Sequence, residues 1–340
     1  MSSLEQAVGR RGEQPAAVRR RLGPRVPGSA ILLLLAYCIF LVIGSLRSTQ
    51  FAQQVVSGIA TGATFAALAL ALVLIFRATE VINLAQGEMA MFSTFIAWQL
   101  LEWGLGYWAA FFVTLLISFL GGIAIERLVI RPVERGGLLA IVIVTVGLFL
   151  LFDGLALRIW GGLPRDFPPA ISGSPVRVGG VAFSVQDIVT VCVTIGAVIL
   201  LWLFFQFTKV GLALRAAALR PEAARLVGVR VSWMLALGWG LAAVLGAIAG
   251  IMIAPTTLLS PSFMQPILLY AFAAAVLGGL ESPAGAVVGG LAMGVTINLL
   301  GAYVGWIGSV LRLPAALAVL LVVLLLKPSG LFGRTAVRKV

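Results

Sequence analysis

The chain has 340 residues, 61% of them hydrophobic and only 11% charged, with a net charge of +12 and no histidine. Soluble domains are about 45–50% apolar and about 25% charged, so this composition excludes an ordinary soluble fold and points to a polytopic membrane protein. The missing histidine removes Ser-His-Asp hydrolases, histidine zinc sites and haem ligation, and Cys38 and Cys192 lie inside apolar runs, implying no disulfide framework.

Residues 1–28 form an Arg-, Gly- and Pro-rich tail, expected to be disordered, cytoplasmic and drawn to anionic lipid. Apolar runs near the length of a bilayer span, about 20 residues, follow at 29–46, 51–76, 81–101, 107–127, 138–160, 185–207, 232–253, 266–280, 284–304 and 310–326. The first reads as a retained signal anchor, because no small-residue cleavage site follows Ser45. The predicted fold is therefore an all-α integral membrane bundle of about ten transmembrane helices over 29–326, with eight the alternative if 81–101 or 266–304 is re-entrant. A second basic tail occupies 327–340.

With both tails cytoplasmic, 19 of the 24 Lys and Arg fall inside. Six are in the first tail, then come Arg77, then Arg127, Arg131 and Arg135, five from Lys209 to Arg230, and four in the last tail. This is the positive-inside pattern, and it assigns the basic charge to membrane orientation rather than to nucleic acid. Five spans on each side of the 161–184 loop would allow two inverted halves, a common transporter layout.

Two connections are long. The external one, 161–184, is broken by four prolines, and Val176-Arg177-Val178 and Val181-Ala182-Phe183 around Gly179-Gly180 predict a small β-hairpin. It is a cover or a docking surface for an external partner. The cytoplasmic one, 208–230, is Ala-rich and amphipathic; it predicts two short helices joined near Arg220-Pro221, the second started by Pro221 and Glu222 and stopped at Gly228.

Carboxylates deep in spans are costly and usually face a bundle interior or a water path. Glu88 and Asp153 are such residues. Glu88 ends the polar stretch Asn83-Leu84-Ala85-Gln86-Gly87-Glu88, expected as a loosely wound helix start serving a structural network or a translocation pathway. Asp153 is expected to pair with Arg158, and Asn298 is a milder polar residue of the ninth span. Gly58/Gly62, Gly246/Gly250, Gly285/Gly289, Gly290/Gly294 and Gly301/Gly305 have the small-xxx-small spacing of close helix crossings. No glycine-rich loop precedes any lysine, so a nucleotide-hydrolysing part would be another chain.

Four motifs carry a family resemblance: Glu222-Ala223-Ala224 with Gly228; Val81-Ile82-Asn83-Leu84-Ala85-Gln86-Gly87-Glu88; Gly278-Gly279 through Gly285-Ala286 and Gly289-Gly290; and Lys327-Pro328-Ser329-Gly330-Leu331-Phe332-Gly333. Together they resemble the LivH-like permease subunits of bacterial ABC importers for branched-chain amino acids. Gln86 stands where that family often has histidine, Glu281 where glycine is common, and Asp153 where an amide is more usual. The resemblance implies a multi-pass inner-membrane subunit that is not an enzyme and holds no cofactor. Its partners would be a second homologous permease, two cytoplasmic ATP-binding subunits carrying ATP and Mg, and an external substrate-binding protein. ATPase coupling would fall to Arg215, Glu222, Ala223, Ala224 and Gly228, and the translocation pathway to Asn83, Gln86, Glu88 and Asn298. The alternative is a self-sufficient ion-coupled transporter or channel, with Glu88 or Asp153 as its ion site.

Overall fold

The computed structural model describes residues 28–305, 311–327 and 330–333. The expected basic tails, 1–28 and 327–340, lie largely outside the described residues. Helices α1 (Gly28–Arg47), α2 (Thr49–Thr79), α3 (Gln86–Glu102), α4 (Tyr107–Val133) and α5 (Leu138–Trp160) come first. The predicted hairpin, β1 (Val176–Val178) and β2 (Val181–Phe183), follows as an antiparallel pair with Val178 opposite Val181. Then come α6 (Val185–Phe207), the short α7 (Lys209–Leu219) and α8 (Pro221–Leu226), and α9 (Val231–Ile253), α10 (Met264–Gly278), α11 (Pro283–Tyr303) and α12 (Arg312–Leu326).

Among the described residues, six helices, α2, α4, α5, α6, α9 and α11, are long and apolar enough to cross a membrane. Shorter apolar helices cover Ile31–Arg47, Met264–Gly278 and Arg312–Leu325. Burial separates them into two kinds. The most apolar window is 78% buried in α2 and 83% in α9, but only 17% in α5 and in α6. So α2 and α9 are the inner helices, and α5 and α6 turn apolar faces outward.

What lets α2 sit so deep is the absence of side chains at its crossing with α11. A methyl group on Gly58 would lie 2.6 Å from the Val295 Cα, and one on Gly62 2.9 Å from the Leu291 Cα. From the other side, Gly290 abuts the backbone of Ala66, and Gly294 that of Gly62. Two of the glycine spacings therefore face each other and bring backbones together, which is how helices gain dispersion contact where apolar burial supplies no driving force. Gly246 and Gly250 admit α3 in the same way, through Gln86, Ala90 and Thr94, while Gly289 meets the Ala274 carbonyl of α10. Gly122 of α4 lies against Trp239, Gly240 and Ala243 of α9.

The pairings repeat. Helix α2 packs on α11 as α9 packs on α4; α3 lies on α9 as α10 lies on α2. Neighbours follow suit, α3 with α4 and α5, and α10 with α11 and α12. The last strap of the described chain closes the α10–α11 turn: the Leu331 and Phe332 amides donate to the Leu277 and Gly278 carbonyls at 2.8 and 3.1 Å, and Lys327 Nζ donates to the Leu331 carbonyl at 2.7 Å. Two of the motifs quoted above thus form one unit, in which the strap satisfies carbonyls that the end of α10 leaves open.

Gly294→Leu should destabilise the chain by about 1–3 kcal/mol or prevent its folding, because the crossing must open to admit the side chain. Gly147→Ala, in α5 with open space around it, should be neutral or stabilising by up to about 1 kcal/mol. Thermal melting of the purified variants in detergent checks both.

Candidate functional sites

The apolar run expected at 81–101 is broken at its start. Helix α2 ends at Thr79, Glu80 turns left-handed at φ 56°, and its amide donates to the Phe76 carbonyl at 2.7 Å. Asn83 then shapes the turn: its Oδ1 accepts the Ala85 amide at 3.1 Å, a short-range side-chain bond that competes with helix. Its Nδ2 donates to Gln86 Oε1 at 3.2 Å, and Gln86 Nε2 crosses to the Ala242 carbonyl of α9 at 3.0 Å. Asn83, Gln86 and Glu88 are all buried, and the space for the Gln86 amide exists because Gly246 has no side chain.

Glu88 differs from its neighbours. Both of its carboxylate oxygens lack a hydrogen-bond partner among the described residues, although the side chain is 1% exposed. Its polar neighbours are Gln265, on the first turn of α10, and the carboxylate of Asp153. Gly87 meets Leu268, so the starts of α3 and α10 face each other in the interior. The structure brings Asn83, Gln86 and Glu88 together and leaves Asn298 apart, half-buried on α11, which packs on α2, α10 and α12. The expected Asp153–Arg158 pair is absent; Arg158 is exposed and Asp153 half-buried.

The 208–230 segment folds as the two predicted helices. Thr208 caps α7 by accepting the Gly211 amide at 2.9 Å, and Gly211 is pressed against the Phe204 carbonyl at the end of α6. Pro221 occupies the first turn of α8 with Glu222 behind it. Gly228, at φ +83°, ends α8: its amide donates to the Arg225 carbonyl, and the Val229 amide to the Ala224 carbonyl, both at 3.0 Å. That pattern is a glycine-dependent helix stop.

Ala217, Ala224 and Val231 form a small buried cluster that fastens α7 and α8 to the start of α9. Ala224 is therefore a packing residue, and Arg215 is half-buried, with its Nη1 donating to Gln206 Oε1 at 3.3 Å. Glu222, Ala223 and Gly228 face outward. Beside them stand Leu219, Leu226 and Val227, exposed by 66, 89 and 78%. The sequence reading passed over these three; consecutive apolar residues immediately before a helix-stopping glycine were the available signal.

The 161–184 segment is a pinned cover. Gln53 of α2 holds the hairpin by exchanging two 2.8 Å hydrogen bonds with the backbone of Ala182. Gln186 accepts the Ala170 amide and donates to the Met252 carbonyl, each at 3.0 Å. Arg165 bridges to the backbone of Leu259 and lies 4.2 Å over the ring of Trp98.

The family described as "Branched-chain amino acid transport system / permease component" matches residues 54–327. The high-affinity branched-chain amino acid transport system permease protein BraD of Pseudomonas aeruginosa is 30% identical over 305 residues, covering 86% of this chain and 98% of the relative. The corresponding LivH of Escherichia coli is 28% identical over 305 residues, covering 85% and 98%. Among solved structures, PsaBC from Streptococcus pneumoniae in complex with Fab matches with a TM-score of 0.46 at 15% identity, over 86% of this chain and 97% of that one.

Gln86→Leu should lower stability by about 1–3 kcal/mol, since it strands the buried Asn83 amide. Glu88→Gln should hold or raise the melting temperature, because it keeps the shape and puts an uncharged amide in place of a buried carboxyl group. Thermal unfolding of the two variants, side by side, reads the difference.

Proposed function

The chain belongs to the branched-chain amino acid transport system permease family, and we propose that it is the membrane subunit of an ATP-driven importer passing branched-chain or related amino acids. The observation that carries the coupling half of this reading is the exposed edge of the 208–230 segment. Glu222, Ala223 and Gly228 there stand among Leu219, Leu226 and Val227, on two short helices fixed to the ends of α6 and α9. An apolar edge of this kind suits the groove of an ATP-binding partner, with Arg215 and Ala224 holding its shape from behind. Family membership sets aside the self-sufficient ion-coupled transporter.

In this reading all ten larger helices cross the bacterial inner membrane, both tails are cytoplasmic, and the two groups of five form inverted halves. The repeated pairings of α2 with α11 and of α9 with α4 support that layout. The full assembly would contain this chain, a second homologous permease, two ATP-binding subunits that hold ATP and Mg, and an external binding protein that meets the 161–184 cover. Closure of the ATP-binding subunits would draw the two 208–230 segments together and rock the bundle between outward-open and inward-open states. Asn83, Gln86 and Glu88 would set the polarity of the moving interior beside the pathway, and Asn298 would contribute from α11.

Co-purification with the ATP-binding and substrate-binding partners, followed by reconstitution into liposomes, tests the assembly and the solute together. Glu222→Trp and Ala223→Trp should abolish most uptake while leaving the bundle folded, because a bulky side chain cannot enter the groove that receives the segment. Coupled uptake at the wild-type level in both variants would remove the docking role.

A further inference from the structure

We propose that Arg127, on a π-helical turn of α4, and Arg131, immediately after it, are positioning residues that carry movement of the 208–230 segment into the bundle by gripping the first turn of α9. The inference rests on the coupling role proposed above for that segment. Helix α4 does not stay regular to its end: Glu126–Ile130 forms a π turn before the helix resumes at Arg131. An inserted residue of this kind weakens the local ladder and is found mostly where function requires it.

The consequence of the turn is where it sends two guanidinium groups. The Arg127 Cζ lies 3.3 Å from the ring centroid of Trp233, and its Nε has no hydrogen-bond partner among the described residues, so the ring face is what holds it. Arg131 Nη2 donates to the Ser232 carbonyl at 2.7 Å and reaches Glu126 Oε2 at 3.5 Å. Glu126 is buried, at 2% exposure, and anchors Arg131 from inside the bundle. Both arginines therefore seize consecutive residues, Ser232 and Trp233, in the first turn of α9.

The opposite side of that turn belongs to the 208–230 segment, through Val231 packed with Ala217 and Ala224 and through Met234 and Leu235 against the same cluster. The start of α9 is thus clasped between the segment on one side and α4 on the other. Further along, Gly122 and Gly240 hold α4 and α9 in backbone contact, so the two helices move as a pair. A displacement of α7 and α8 cannot shift α9 without pulling on Arg127 and Arg131. The π turn is the part of α4 best able to absorb that pull or transmit it, since its register has one residue to spare.

The test uses the whole transporter, assembled with its partners in liposomes, with ATP hydrolysis and amino-acid uptake measured on the same preparation. Arg127→Ala and Trp233→Ala should each lower uptake per ATP hydrolysed by about fivefold while hydrolysis stays within about twofold of wild type, and the double variant should be no worse than either single one. Trp233→Phe should recover part of the ratio. If an alanine variant fails to assemble, Arg127→Met and Trp233→Leu fill the space without the cation–ring contact and take its place. An unchanged ratio in both variants would overturn the proposal, as would hydrolysis and uptake falling in parallel. A wild-type assembly that hydrolyses ATP without any uptake would instead overturn the coupling reading on which this rests.

Discussion

Everything in this molecule depends on backbone meeting backbone between α2 and α11. Inside a bilayer, lipid tails solvate leucine as well as a neighbouring helix does, so apolar side chains alone give helices little reason to associate. Removing the side chains at Gly58, Gly62, Gly290 and Gly294 lets the two backbones touch. Helix α2 can then be surrounded on nearly all sides, by α11, α9, α10 and α6. The same device at Gly246 and Gly250 seats α3 on α9. A single residue type, placed at one helical spacing, therefore allows α2 and α9 to be approached closely by their neighbours.

Close packing leaves buried polar side chains few places to go, and the chain resolves this with amides. Gln53, Gln86 and Gln186 each reach a main-chain group on a different element, at 2.8, 3.0 and 3.0 Å. Glutamine suits the task because one side chain both donates and accepts, so it satisfies a backbone group without adding charge. Glu88 breaks the pattern, with two unpartnered oxygens where α3 and α10 begin.

Much of this was legible in the residues, for identifiable reasons. Helices are read from the length of apolar runs, and each of the ten runs meets a helix, six of which are long and apolar enough to cross a membrane. The hairpin at 176–183 and the pair of helices at 209–226 followed from turn chemistry, which is local: Gly179-Gly180 in one case, Pro221 and Gly228 in the other. Pairings were not legible, because glycine spacing shows that a helix can approach a neighbour closely without saying which neighbour. For the same reason Asn298 could be grouped with Asn83 and Glu88 on polarity alone, and Ala224 could be grouped with Glu222 and Ala223 on its motif although it packs on Ala217 and Val231. The π turn at Glu126–Ile130 had no sequence signal, since its residues read as an ordinary continuation of the α4 run.

The 208–230 segment shows how local and global constraints combine. A segment with the coupling role proposed above must not bend within itself, yet α7 and α8 are too short to be stable as free helices. Thr208 and Gly211 lock one end to α6, and the Gly228 stop with the Ala217–Ala224–Val231 cluster locks the other to α9. Small residues make these attachments close, so little motion is lost in side-chain rearrangement. Larger side chains, Leu219, Leu226 and Val227, are left on the outer edge, where a partner can grip them. The arrangement is fastened closely toward the bundle and apolar on its outer edge, the pairing of properties that the proposed coupling role requires.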